Sequence, residues 1–66
     1  MFDFGEWVLM ERSKKGMTLQ QLSAKSGISY PSVHKIETNK VNASLYSANR
    51  IAKALGYEIT VREVRR

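Results

Sequence analysis

Cysteine is absent from this 66-residue chain and histidine occurs once. Neither a disulfide framework nor a multi-ligand zinc site can be built from it alone, so no metal and no cofactor is expected and the fold must stand on packing. No apolar run approaches the roughly 20 residues that a membrane span requires. The opening Met1-Phe2-Asp3-Phe4 also lacks the basic n-region of a secretion signal, and the expectation is a cytoplasmic chain with no membrane partner. Acidic residues are few: Asp and Glu number 6 against 11 Lys and Arg, for a formal charge of +5. That balance favours polyanionic partners, of which nucleic acid is the simplest, although a Lys-rich surface alone is ordinary. There is no nucleophile–base pair, metal cluster or phosphate-gripping Gly loop, so no enzyme is expected. Nor are aromatics interleaved as a platform for single-stranded RNA. The length gives one domain, residues 1–66, with a core so small that oligomerisation would add needed burial.

Two short helix patterns meet at a tight Gly27-Ile28-Ser29 joint within residues 17–39. Thr18 reads as an N-cap with Gln21 three residues on, a capping box, and Met17 and Leu22 fall where a hydrophobic staple packs. Leu19, Leu22, Ser23 and Ser26 then repeat on one face, the last two small enough for another helix to lie close. Gly27 tolerates the left-handed conformation that ends a helix. Ser29 is placed to cap the next helix, with Ile28 and Val33 as its staple. Pro31 sits in the first turn of that helix, where its missing N–H costs no bond. Val33 and Ile36 face inward, leaving Ser29, Tyr30, Ser32, His34 and Lys35 on a donor-rich outer face suited to a major groove. This is the spacing of a helix-turn-helix, over about residues 18–38.

Upstream, Phe4, Trp7, Val8 and Met10 give an amphipathic first helix running to about Lys15 and stopped by Gly16. Trp7 is taken as core. Downstream, a polar connection at 39–43 leads to Ser44, which caps a helix with Leu45, Ala48, Ile51, Ala52 and Leu55 on one face, closed by Gly56. The period then changes. Tyr57, Ile59 and Val61 alternate with Glu58, Thr60 and Arg62, which reads as a strand over about residues 57–64. Its only intrachain candidate partner is a weak one at 1–4. The economical solution is pairing with the same strand of another subunit, which makes Tyr57, Ile59 and Val61 dimerisation residues; the plainer reading is an edge strand packed on its own domain.

The spaced set Gly16, Thr18, Leu22, Gly27, Ser29, Val33, Ile36, Glu37, Leu45, Ile51, Ala52 and 54–56 resembles the lambda-repressor and Cro type of helix-turn-helix, the XRE family, over about residues 4–56. The resemblance implies a mainly α fold, a compact four-helix domain, here followed by the C-terminal strand. That last feature is similar to HipB-like antitoxins, whereas classical members often have another helix there. The family commonly pairs an Arg late in its first helix with a Glu late in its recognition helix, and Arg12 and Glu37 hold those places. Such a pair is worth several kcal/mol to keep intact if buried and little if it is a solvated surface pair. Glu11 stands where the family has an aliphatic residue, so either the helix is rotated or the carboxylate snorkels outward.

By the same resemblance, base-edge contacts fall to Tyr30, Pro31 and Lys35, with Ser29 and Ser32 at the boundary between base and backbone. Lys35 can donate to guanine, Tyr30 can offer a hydroxyl or its ring, and Pro31 supplies apolar contact. Free N–H groups at the start of the second helix suit a phosphate, helped by Thr18 and Gln20, although the Gln that often opens this helix in the family is Leu19 here. His34, Asn39 and Lys40 are further backbone candidates, and Arg65 and Arg66 a basic tail; for His34 and the tail the bland alternative is simple solvation. The function implied is a sequence-specific transcriptional repressor binding a palindromic double-stranded DNA operator as a homodimer. The alternative is an antitoxin-type module that holds a toxin protein and binds DNA for autoregulation.

Overall fold

Residues 2–64 are described by a computed structural model of the chain. Among them the helices are α1 (Phe4–Lys14), α2 (Leu19–Ser26), α3 (Tyr30–Glu37) and α4 (Leu45–Ala54). Their starts follow from local chemistry. The Asp3 carboxylate accepts the Glu6 N–H at 3.0 Å at the head of α1. Thr18 and Gln21 form the expected capping box at α2, with both reciprocal bonds present. Ser44 Oγ accepts the Ser47 N–H at 3.1 Å at α4. Ser29 occupies the cap position of α3 but makes no side-chain cap bond; its hydroxyl donates instead to Ser32 Oγ at 2.8 Å.

The end of α3 carries a less expected device. Asn39 adopts a left-handed backbone, φ 61°. Its N–H then donates to the Ile36 carbonyl and the Lys40 N–H to the Lys35 carbonyl, the paired bonds that satisfy a helix C-terminus. Its side-chain amide reaches Asp3 Oδ2 at 3.1 Å, tying the end of α3 to the head of α1. The two helices cross so closely at this point that a Cβ on Gly5 would collide with the Ile36 carbonyl oxygen and the Asn39 side chain.

α3 packs against α1 and α2, and α4 against α2. The core is Val8, Leu22, Ile28, Val33, Ile36, Ile51, Ala54 and Leu55, with Phe4, Trp7, Met17, Leu19 and Ala43 half-buried around it. Two inward assignments are corrected. Met10 is exposed, because it lies about 200° around the helix from Val8. The i+3 place from Val8 belongs to Glu11. Leu45 is also exposed: it keeps the angular phase of Ala52 but lies in the first turn of α4, ahead of the buried residues that begin at Ile51. Trp7 is half-buried rather than enclosed, in contact with Phe2, Phe4 and Tyr57.

Glu11 is buried rather than snorkelling outward. The Tyr57 hydroxyl donates to its Oε1 at 2.8 Å, and Lys14 and Lys15 lie at 3.4 and 3.5 Å from its carboxylate oxygens. The Tyr57 ring meets Trp7 edge-on at 5.1 Å, with the Lys15 ammonium over its face. A residue read as a dimerisation contact is thus docked on its own α1. Among the described residues there is no strand: 57–64 form no ladder within the chain, and residues 2–4 enter α1 through its cap rather than pairing with them. Met1, Arg65 and Arg66 lie outside the described residues.

The Arg12–Glu37 pair is present and buried. Arg12 Nε and Nη2 grip the two carboxylate oxygens at 2.6 and 3.1 Å, with side-chain exposures of 16% and 5%. Arg12 Nη1 also donates to the Met17 carbonyl at 3.0 Å. Bonding to Glu37 raises the Arg12 pKa still further, so the guanidinium is charged at any working pH. Replacing Arg12→Met leaves the Glu37 charge unpaired and is expected to cost about 3–5 kcal/mol. The double replacement Arg12→Met with Glu37→Leu is expected to recover most of that loss. Urea midpoints of the two variants and the unmodified chain measure both terms; a single-variant loss below about 1 kcal/mol would return the pair to the surface class.

Acid titration tests the second carboxylate. The Tyr57 hydrogen bond, and after it Lys14 and Lys15, hold the Glu11 carboxyl below its ordinary value against the opposing effect of burial. A carboxylate with a lowered folded pKa contributes stability that is complete above its unfolded pKa and is lost as pH falls through the folded one. The domain is therefore expected to lose stability on acidification through and below the ordinary carboxylate range. Tyr57→Phe should flatten that loss in thermal unfolding measured against pH, and an unchanged acid slope would exclude the hydroxyl as its source.

Candidate nucleic-acid interface

The joint between α2 and α3 is stitched by two serines that sequence periodicity had marked only as small. Ser23 Oγ donates to the Ile28 carbonyl at 2.6 Å, and Ser26 Oγ accepts the Ile28 N–H at 3.2 Å. Gly27 between them is left-handed, φ 76°, and a Cβ there would lie 2.7 Å from Arg50 Nη2. Arg50 itself donates through Nε to the Ser26 carbonyl at 2.6 Å and stands over the Tyr46 ring. A cation from α4 thus satisfies one of the carbonyls that α2 leaves open at its C-terminus. An L-residue at position 27 would add the left-handed backbone penalty, about 1–2 kcal/mol, to that crowding. The angle between the two helices is consequently set by hydrogen bonds as well as by the staple of Ile28 and Val33.

With Val33, Ile36 and Glu37 buried, α3 turns Tyr30, Pro31, Ser32, His34 and Lys35 to solvent. Tyr30 and His34 lie one above the other, as do Pro31 and Lys35, at the i, i+4 spacing. An open cleft of about 310 Å³ runs from the start of α2 to the start of α3 and gathers Arg12, Thr18, Leu19, Gln20 and Tyr30. The capping box occupies the backbone N–H groups of Thr18 and Gln21. Those of Leu19 and Gln20, residues that line this cleft, have no intrahelical acceptor and lie at the positive end of the helix dipole. Together with the Tyr30 hydroxyl and the edge of Arg12 they make a recess of donors and positive potential, the chemistry that receives a phosphate.

The sequence-assigned residues therefore divide into three groups. Thr18, Gln20 and Tyr30 come together in the cleft. Pro31, Ser32, His34 and Lys35 form the exposed ridge beside it, with Ser29 at its head. Lys40 and Asn39 lie beyond the other end of α3, about 12 Å of helix away. The Asn39 amide donates to Asp3. Arg50, Ser23 and Ser26 were not among the assigned site residues. No periodic signal distinguishes Arg50 from any other exposed cation on α4.

Charge sorts the same surface. Between Glu11 and Glu58 the sequence contains a single carboxylate, Glu37, and the Arg12 fork holds it in the interior. The outer faces of α2, α3 and α4 carry Lys25, Lys35, Arg50 and Lys53, with Lys40 just after α3, and no exposed carboxylate lies among them. A short helix presented on a rigid turn, a donor-lined recess beside it and a uniformly cationic surround define a helix-turn-helix DNA-binding domain. A family model described as helix-turn-helix matches residues 9–61, and the chain belongs to that family, the Cro/C1 or XRE type of DNA-binding transcription regulator. No curated protein and no solved structure matches the chain. Among the described residues no helix is long and apolar enough to cross a membrane, and no group of three or more His, Cys, Asp or Glu side chains is placed to hold a metal ion.

Proposed function

We propose that the chain is a sequence-specific repressor that binds a near-palindromic operator as a homodimer, each copy laying α3 in one major groove. The observation that carries this reading is the concealment of Glu37 under Arg12, which leaves the α2–α3 face free of exposed carboxylates beside the recess at the start of α2. In this reading Thr18, Gln20 and the α2 N-terminus seat one phosphate, helped by Ser32, His34 and Lys40 along the flanking backbone. Lys35 and Pro31, with Ser29 and Tyr30 at the head of the helix, meet base edges. A two-fold dimer places two such helices about 34–36 Å apart or a multiple of it. Repression follows from occupancy, since a DNA-reading domain seated on a promoter excludes other proteins from it.

A second reading has its own observation. Phe2 and Val41, both exposed, border an open cleft of about 560 Å³ between the head of α1 and the α3–α4 connection. A largely apolar recess away from the exposed face of α3 suits an antitoxin-type module holding a toxin partner.

Selection of bound duplexes from a random pool at near-physiological salt separates the two. Enrichment of one inverted repeat is expected; well-folded protein that enriches nothing would move the assignment to the partner-binding module. Within the selected site Lys35→Ala should lose about 1–3 kcal/mol and relax preference at one base pair. Gln20→Ala should weaken matched and mismatched duplexes alike. Fluorescence anisotropy titrations on both duplexes measure this contrast, and uniform weakening by Lys35→Ala would remove it from base readout.

A further inference from the structure

After the Tyr57 N–H bond to the Ala52 carbonyl, the backbone of 58–64 makes no hydrogen bond among the described residues. Its side chains nonetheless already alternate. Tyr57 turns onto Trp7 and Glu11. Ile59 and Val61 line a cleft of about 300 Å³ with Leu45, Tyr46 and Asn49 of α4. Glu58, Thr60 and Arg62, the intervening residues, are exposed. This is how a strand presents itself when its apolar face rests on its own domain only at Ile59 and its backbone makes no hydrogen bond to the rest of the chain. The apolar face remains open as well: Val61 is 83% exposed, Leu45 65% and Tyr46 67%. An occupant that satisfies both deficits must bring a strand with the same alternation, and the chain itself carries one.

Charge and face complementarity select the register. In antiparallel pairing, residues directly opposite share a face, so a two-fold pairing of this segment with itself must be centred on a residue to keep the apolar face together. Centred on Ile59, it sets Glu58 against Thr60 of the partner subunit and leaves the charges unmatched. Centred on Val61, it sets Ile59 against Glu63 of the partner subunit. Centred on Thr60, it sets Ile59 against Val61 of the partner subunit and Glu58 against Arg62 of the partner subunit, and the symmetry makes each pairing twice.

We infer that two copies of the chain join by antiparallel pairing of residues 58–62 about a two-fold axis at Thr60, with the Ile59 and Val61 face of the ribbon lying over Leu45 and Tyr46. The Tyr57 contact with Glu11 and Trp7 fixes where the segment leaves each domain, so it is the positioning residue for the angle between the two α3 helices. The inference rests on the homodimer reading and deepens it by specifying the register.

Because the chain has no cysteine, single-cysteine variants report the register directly. Opposed Cβ atoms in a ladder lie about 4.5–5.5 Å apart, near disulfide range. Thr60→Cys is expected to form a covalent dimer under mild oxidation. Ile59→Cys and Val61→Cys are expected to do so only when mixed with each other. Charge exchange gives a readout independent of disulfide geometry. Glu58→Arg alone and Arg62→Glu alone should each weaken self-association about tenfold or more in sedimentation, while an equimolar mixture of the two restores it. Efficient cross-linking of Ile59→Cys or Val61→Cys alone, or a mixture no tighter than its components, overturns the register while the dimer stands. If the unmodified chain sediments as a monomer, the homodimer reading falls together with the register.

Discussion

The bidentate contact between Arg12 and Glu37 is the constraint on which both the packing and the surface of this domain depend. One guanidinium joins α1 to the last turn of α3 and, through the Met17 carbonyl, to the entrance of α2. Burying two charges is expensive, and the Coulomb attraction offsets that cost only when the geometry is good and the remaining donors are satisfied. Both conditions hold here, and no buried side-chain polar atom among the described residues lacks a partner. The same contact has an electrostatic consequence. A Glu at position 37 facing outward would lie on the helix offered to DNA; held inward, it leaves that face cationic.

Rigidity at the turn follows a similar logic of hydrogen bonds doing what a small core cannot. A domain of this length buries too little apolar surface to fix the angle between two eight-residue helices by packing alone. Ser23, Ser26 and Arg50 engage both backbone groups of Ile28 and the Ser26 carbonyl from three directions. Reading bases requires side chains to be held to within a fraction of an ångström, and a turn held by these bonds supplies that where an apolar staple would leave play. Asn39 acts comparably at the other end of α3, using a left-handed backbone to close the helix and its side chain to reach Asp3.

What was legible in the sequence was what local chemistry decides. The Thr18–Gln21 box, the Ser44 cap, the left-handed Gly27 and the inward phase of Leu22, Val33, Ile36 and Ile51 depend on neighbours within one or two turns. Resemblance supplied the pairing of residues 12 and 37, which are too distant in sequence for any local rule to find. The failures share a cause as well. Leu45 has the right phase, yet no helix covers its turn, and phase carries no information on where a neighbouring helix ends. Glu11 looked misplaced because its partner lies 46 residues away in Tyr57. The left-handed φ of Asn39 and its bond to Asp3 are likewise three-dimensional facts that no local rule supplies. The strand at 57–64 was read from alternation, which describes a face to be covered but not the chain that supplies the other half of the ladder.

That unfinished segment bears on how so small a module can be selective. An α3 of about 12 Å can touch only a few base pairs, each discriminated by about 1–3 kcal/mol, and a single copy has too few such contacts to stand out against a genome of competing sites. Two copies held at fixed separation roughly double the specific term, while the ordering of the second domain has been met in forming the dimer. On the homodimer reading, the exposed Leu45 and Tyr46, the unpaired backbone of 58–64 and the Tyr57 anchor are then parts of the recognition apparatus as much as the residues on α3. They determine whether the second half-site is presented in register with the first. A domain that completed its own sheet and covered its own α4 would be more stable as a monomer and, for that reason, a poorer reader of DNA.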